Sequence, residues 1–185
     1  MTLSLFIEQA LNGLQFGVML FLIAAGFTLV FGIMNLVNLA HGSFYMIGAY
    51  LFATILQRIG AFWVSVALAV VLTGFVGALL ERVALKPFYR RPYLDQVLAT
   101  LGLILFFNEL TRIIWGAQPL SVPLPAALAT SVPIIGSLSY PTIRLVILAI
   151  GVLVALLLYL IVAKTRMGML VRAGADNRTM VAGLG

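Results

Sequence analysis

The chain has 185 residues, 63% of them hydrophobic and only 9% charged, with a formal net charge of +6. A soluble domain carries about a quarter charged residues, so this composition cannot wet a globular surface and belongs in a lipid bilayer. The eleven Lys and Arg cluster between apolar runs, which excludes a nucleic-acid-binding face, and the lack of cysteine excludes disulfides, thiolate metal sites and Cys nucleophiles.

No Lys or Arg precedes Arg58, so the basic n-region of a cleavable signal peptide is missing. From Gln9 to Gln57 there is no Asp, Glu, Lys or Arg. That is about twice the ~20 residues a spanning helix needs, and it predicts two spans, 11–31 and 35–56, joined by a short turn around Gly32. A third span, 61–80, stops at Glu81 and Arg82, and a basic loop with Lys86, Pro87, Arg90, Arg91 and Pro92 comes next. The fourth is 94–114. The segment 115–141 carries Pro119, Pro123, Pro125, Pro133 and Pro141 and is too broken for one helix. A fifth span, 143–163, leads into a second basic segment, 164–185. The fold class expected is an all-α, polytopic transmembrane helical bundle of about five spans, forming a single membrane-embedded domain over 1–185.

Arg82, Lys86, Arg90 and Arg91 lie in one loop, and Lys164, Arg166, Arg172 and Arg178 in the other; only Arg58, Arg112 and Arg144 fall near the opposite ends. Five spans put both basic loops on one side. The positive-inside rule makes that side cytoplasmic and the N-terminus external. If either of the first two spans is re-entrant or broken, the N-terminus moves while the later loops stay put.

The second span is unusually polar. On a helix Asn35, Asn38, Gly42, Tyr45 and Ala49 share a face, with His41 at its margin. Asn and His are costly in hydrocarbon without a partner or water, so the stripe is expected to face protein or a wet cavity. It either lines a translocation path or serves as interhelical glue, the commoner role for such residues. His41 is the sole histidine, which rules out a multi-His metal site. Gly13 and Gly17 form a GxxxG sequence in the first span, expected to bring helices close together. Glu109 and Arg112, three apart beside Asn108, can pair on one face as a structural ion pair. No GxxxxGK[ST], HExxH or GxSxG occurs, so no catalytic residue, cofactor or enzymatic activity is expected, and any energy for transport must come from elsewhere.

Three segments together resemble the permease subunits of the branched-chain amino acid ABC importers. The first runs from Gly13 through 22–26 and Gly32 to Asn38-Leu39-Ala40-His41-Gly42, ending at Gly48-Ala49-Tyr50. It is similar to the family's Asn-x-Ala-His-Gly box and the Gly-Ala-Tyr after it. The second, Glu81-Arg82-Val83-Ala84 with Lys86-Pro87, is similar to the loop after the early spans. The third is Thr165-Arg166-Met167-Gly168, then Arg172-Ala173-Gly174-Ala175-Asp176-Asn177 and Leu184-Gly185, similar to the cytoplasmic segment that touches the ATPase.

The resemblance implies a multi-pass protein of a prokaryotic inner or plasma membrane that carries branched-chain or other hydrophobic amino acids by alternating access. It implies a second permease subunit, cytoplasmic ATPase subunits and an extracytoplasmic substrate-binding protein as partners, with no nucleic acid. Asn35, Asn38, His41, Gly42 and Tyr45 would belong to the substrate pathway. Gly168, Arg172, Ala173, Ala175, Asp176, Arg178 and Gly185 would belong to the ATPase-coupling loop, although positive-inside anchoring accounts for the same arginines. The segment 115–141 would be a docking surface or an ordinary long loop. Family members continue beyond that coupling loop with further spans, so this sequence is expected to be the N-terminal part of a permease. An importer of urea or short amides, a passive channel and a non-transporting scaffold subunit stay open as alternatives.

Overall fold

The computed structural model describes residues 3–34, 36–89, 91–135, 138–166, 168–169 and 171–173. With no water in the hydrocarbon to satisfy backbone N–H and C=O groups, the apolar runs fold as helices. They are α1 (Leu3–Met34), α2 (His41–Ile59), α3 (Phe62–Leu80), α4 (Tyr93–Trp115) and α5 (Thr142–Lys164). Among the described residues four helical stretches are long and apolar enough to cross a membrane: Leu5–Gly32, Phe62–Phe88, Tyr93–Trp115 and Thr142–Lys164. Helix α2, like α3, is 19 residues long, about 28 Å at 1.5 Å per residue. It falls outside that set because His41, Gly42 and Ser43 open it and Gln57 and Arg58 close it.

Helix α1 begins at Leu3, ahead of the expected 11, and two further boundaries differ from the sequence expectation. Helix α1 runs straight through Gly32, and the turn lies further on, ahead of His41. Glycine costs a helix only about 1 kcal/mol, whereas an Asn side chain that bonds to its own backbone ends one. The second difference is in the proline-rich segment, whose last part is an antiparallel hairpin of β1 (Ser131–Ile135) and β2 (Leu138–Pro141). Val132 pairs with Tyr140 and Pro133 with Ser139, with a bulge before Ile135.

The chain divides into two compact units, Met34–Pro123 and the pair of segments Met1–Ile33 with Leu124–Gly185. In the first unit α2 packs antiparallel to α3 where glycines let the helices approach. A Cβ on Gly48 would lie 3.2 Å from Thr73 Oγ1, and one on Gly77 3.7 Å from the Phe44 ring. Helix α4 runs parallel to α2. Phe107 meets Phe44 with ring centroids 6.4 Å apart, and Thr111 Oγ1 reaches Met46 Sδ at 3.7 Å. Trp115 stacks 5.0 Å from Tyr50 and donates its indole N–H to Thr54 Oγ1 at 2.7 Å. Between α3 and α4 the helix widens into a π-helical turn, Glu81–Leu85, then tightens into a 3₁₀ turn, Lys86–Phe88. Tyr89 closes this loop by donating its hydroxyl to the Glu81 carboxylate at 2.5 Å.

In the second unit α1 and α5 meet at Gly151, which is buried and where a Cβ would overlap Val18. Asn12 Oδ1 accepts from Tyr140 Oη at 2.9 Å and from Arg144 Nη1 at 2.6 Å, which ties α1 to β2 and α5. Gly13 and Gly17 have open space where a Cβ would be. The close approach expected of them is made instead through Val18 against Gly151, on a face turned about 100° from Gly17. Large apolar side chains such as Val70, Phe75 and Leu105 point outward on their helices, where lipid covers them.

Candidate functional site

The most deeply buried stretch among the described residues is a connection, not a helix. Of the described residues between α1 and α2, Leu36 and Ala40 are fully buried, Val37 and Asn38 nearly so, and only Leu39 reaches the surface. Irregular backbone carries polar groups that regular structure would have satisfied, so burying it demands partners. Asn38 supplies some itself. Its Oδ1 accepts the Ala40 N–H at 3.1 Å, and its carbonyl accepts the His41 N–H at 3.2 Å. The Ala40 carbonyl then accepts the Ser43 N–H at 3.0 Å, and α2 is under way. This gives the Asn-x-Ala-His-Gly box a local physical meaning: Asn38 turns the chain, and the small Ala40 is fully buried in the turn.

Helix α4 supplies the rest. Its buried positions are Gln96, Thr100, Phe107 and Thr111, spaced by four and seven so that they share one face. Gln96 Oε1 accepts the Val37 N–H at 3.4 Å. Its Nε2 donates to Arg91 O at 3.1 Å and to Phe88 O at 3.3 Å. Thr100 Oγ1 lies 2.9 Å from Gln96 O, 3.1 Å from Val97 O and 3.4 Å from Val37 O. A hydroxyl has one proton, so the bond within α4 takes most of it and the Val37 carbonyl shares the remainder. The buried connection therefore sits at the end of the α2–α4 unit that carries the exposed basic residues Arg82, Lys86 and Arg91.

The polar stripe read from the sequence is divided by this geometry. Asn38 precedes α2, is 3% exposed, and accepts the Ala40 N–H with its side chain. Gly42, Tyr45 and Ala49 keep their helical spacing and share an exposed face of α2, with Tyr45 60% exposed. His41 is half-buried at the margin, edge-on to Phe44 with ring centroids 6.4 Å apart. Asn35 lies outside the described residues. Glu109 and Arg112 pair at 4.0 Å with both side chains about two-thirds exposed, a geometry worth little to stability.

At the other predicted element, Thr165 ends α5 and caps the next helical turn. Its Oγ1 donates to Ile161 O at 2.6 Å and accepts the Gly168 N–H at 3.2 Å, the bonding of a helix N-cap. Gly168 is buried against the last turn of α5, where a Cβ would collide with the Ile161 and Val162 carbonyls. The chain thus reverses at a place only glycine allows. Arg172 is exposed and extends Nη1 to within 3.5 Å of Ala163 O, near an α5 C-terminus that favours positive charge. Ala173 is helical and exposed. Ala175, Asp176, Arg178 and Gly185 lie outside the described residues.

Residues 9–185 match the family described as branched-chain amino acid transport system, permease component. The chain belongs to that family. It is 30% identical over 194 residues to the high-affinity branched-chain amino acid transport system permease protein LivH of Salmonella typhimurium and to that of Escherichia coli K12, covering 97% of this chain. It is 28% identical over 191 residues to the permease protein BraD of Pseudomonas aeruginosa, again over 97% of this chain. The chain spans 62% of the length of these relatives. No solved structure matches. Membership in a transport-permease family, with the apolar helices described above, makes this a multi-pass protein of the prokaryotic inner membrane.

For a member of this permease family the sequence reading missed two residues, Gln96 and Thr100. The available signal was their i, i+4 spacing near the start of an apolar span, where an unpaired amide would be expensive. Their partner Val37 stands 59 positions away from Gln96, beyond the reach of local pattern reading.

Proposed function

We propose that this chain forms part of the membrane path of an ATP-binding-cassette importer for branched-chain and other hydrophobic amino acids. Substrate moves by alternating access, and separate cytoplasmic ATPase subunits supply the energy. The observation that carries the reading is the buried α1–α2 connection, seated at the end of the unit that bears the basic loop. A bundle that merely anchors something has no need of irregular backbone and buried amides there; a path that changes shape does.

On this reading Asn38 shapes the connection. His41, Gly42 and Tyr45 line the path from the start of α2, completed by a second permease subunit, and Asn35 belongs to the same pathway. Tyr45 offers a ring for an aliphatic side chain and a hydroxyl for the polar end of an amino acid. The reversal at Thr165 and Gly168 presents Arg172 and Ala173, with Ala175, Asp176, Arg178 and Gly185 next in sequence, to an ATPase. A binding protein delivers substrate at the opposite face, where the β1–β2 hairpin is the structured part of the proline-rich segment. The family membership and the names of the relatives support the substrate class.

The experiment is ATP-driven leucine uptake into proteoliposomes holding the full-length protein with the other subunits encoded beside it. Uptake that needs both ATP and a loaded binding protein, and that falls at least tenfold on changing Arg172 and Arg178 together to Glu, supports the reading. Leucine flux that runs down its gradient without ATP would replace it with a channel.

A further inference from the structure

Gln96 has one amide carbonyl and two amide protons, and all three are engaged with backbone. The carbonyl holds Val37 N–H in the α1–α2 connection at 3.4 Å. The two protons hold Phe88 O and Arg91 O in the loop that enters α4, at 3.3 Å and 3.1 Å. Gln96 is 5% exposed, so water has little access to the amide itself. Glutamate matches its length but has no donors when ionised, and methionine matches its shape but has neither donor nor acceptor. The loop it grips is braced internally, by the Tyr89–Glu81 bond at 2.5 Å and by Arg91 N–H on Phe88 O at 3.0 Å.

We infer that Gln96 is a positioning residue that joins the buried connection to the basic loop, so that a displacement of the loop is delivered to Asn38 and His41. The joint stands on the geometry alone; the use made of it rests on the transport reading above. In that setting a push on the loop surface, where Arg82, Lys86 and Arg91 are exposed, reaches the polar start of α2 through one amide. Thr100 contributes less, because its proton is mostly committed within α4.

The test is hydrogen–deuterium exchange on the full-length protein in nanodiscs, with wild type, Gln96→Met and Thr100→Val. Losing a buried hydrogen bond at each end of the joint should speed exchange about tenfold in both 36–40 and 88–92 of Gln96→Met. Thr100→Val should loosen 36–40 alone, and by less. Loosening of Gln96→Met in only one of the two segments, or in neither, overturns the joint. If Gln96→Met is not recovered folded, Gln96→Glu keeps the acceptor for Val37 and should loosen 88–92 foremost. A second readout separates coupling from mere support: the ATP hydrolysed per leucine imported in proteoliposomes. That ratio should rise about tenfold in Gln96→Met while ATP hydrolysis itself persists. An unchanged ratio reduces Gln96 to a structural part. If wild-type proteoliposomes import nothing with ATP, the transport reading fails, and exchange alone still decides whether Gln96 joins the two segments.

Discussion

Two connections flank α2, and they are built on opposite plans. The one after it is a two-residue turn, Gly60 and Ala61, fully in the open. Gly60 adopts φ 73° and donates its N–H to Leu56 O at 2.8 Å, and nothing beyond its own backbone is required. The one before it is buried and is held by side chains from two elements, Asn38 in the connection and Gln96 on α4. A turn that only has to reverse the chain is settled by one glycine and by water. A turn that is sealed inside protein must have each polar group matched, and so fixes residue identity at several positions. The demand for specific side chains falls at the end with the basic loop, where the proposed coupling takes place.

The contrast can be broken most forcefully at Ala40. It is fully buried, so Ala40→Leu should cost about 1–3 kcal/mol by overpacking. Thermal unfolding of the purified protein in detergent would show this as a clear drop in midpoint. A variant as stable as wild type would mean the connection is less sealed than described. Asn38→Ala comes next. It leaves the Ala40 N–H without its acceptor, at about 1–2 kcal/mol, and Asn38→Ser should recover part of the loss, because a hydroxyl makes the same turn more weakly. Equal effects of Ala and Ser would argue that packing, not the hydrogen bond, holds the turn. The smallest effect belongs to the open turn. Gly60→Ala should cost about 1 kcal/mol for the left-handed backbone, and Gly60→Asn less, as asparagine tolerates that region. If Gly60→Ala proved more damaging than Asn38→Ala, the distinction between the two connections would collapse.

Much of the bundle was legible in the sequence. Spans expected at 61–80, 94–114 and 143–163 appear as Phe62–Leu80, Tyr93–Trp115 and Thr142–Lys164. Each has physical punctuation at its edge: Gly60, Glu81, Pro92, Gly116, Pro141 and Thr165. The first two helices were harder, because Gln9 to Gln57 contains no charge to mark a boundary, and Asn35, Asn38 and Gly42 also fit a helical period. The deciding feature was Asn38 bonding to Ala40 N–H, a choice that only the buried setting makes worthwhile. The hairpin at 131–141 was hidden by its prolines, which read as breakers yet sit acceptably in a two-stranded ribbon with free edges. At the candidate site the box residues were visible as a group. Their clamp was not, since Gln96 looks like a stray amide until the fold lays Val37 beside it.

The π-helical turn Glu81–Leu85 carries a consequence of its own. An α-helix sets azimuth at about 100° per residue, and a π turn accommodates one residue more than regular winding would. Everything after it is rotated accordingly relative to α3. The direction in which Lys86 and Tyr89 leave the helix is therefore encoded in a count of residues rather than in any one side chain. Deleting Val83 would remove no polar side chain, yet would swing the loop about a quarter turn and carry the Tyr89 hydroxyl away from Glu81.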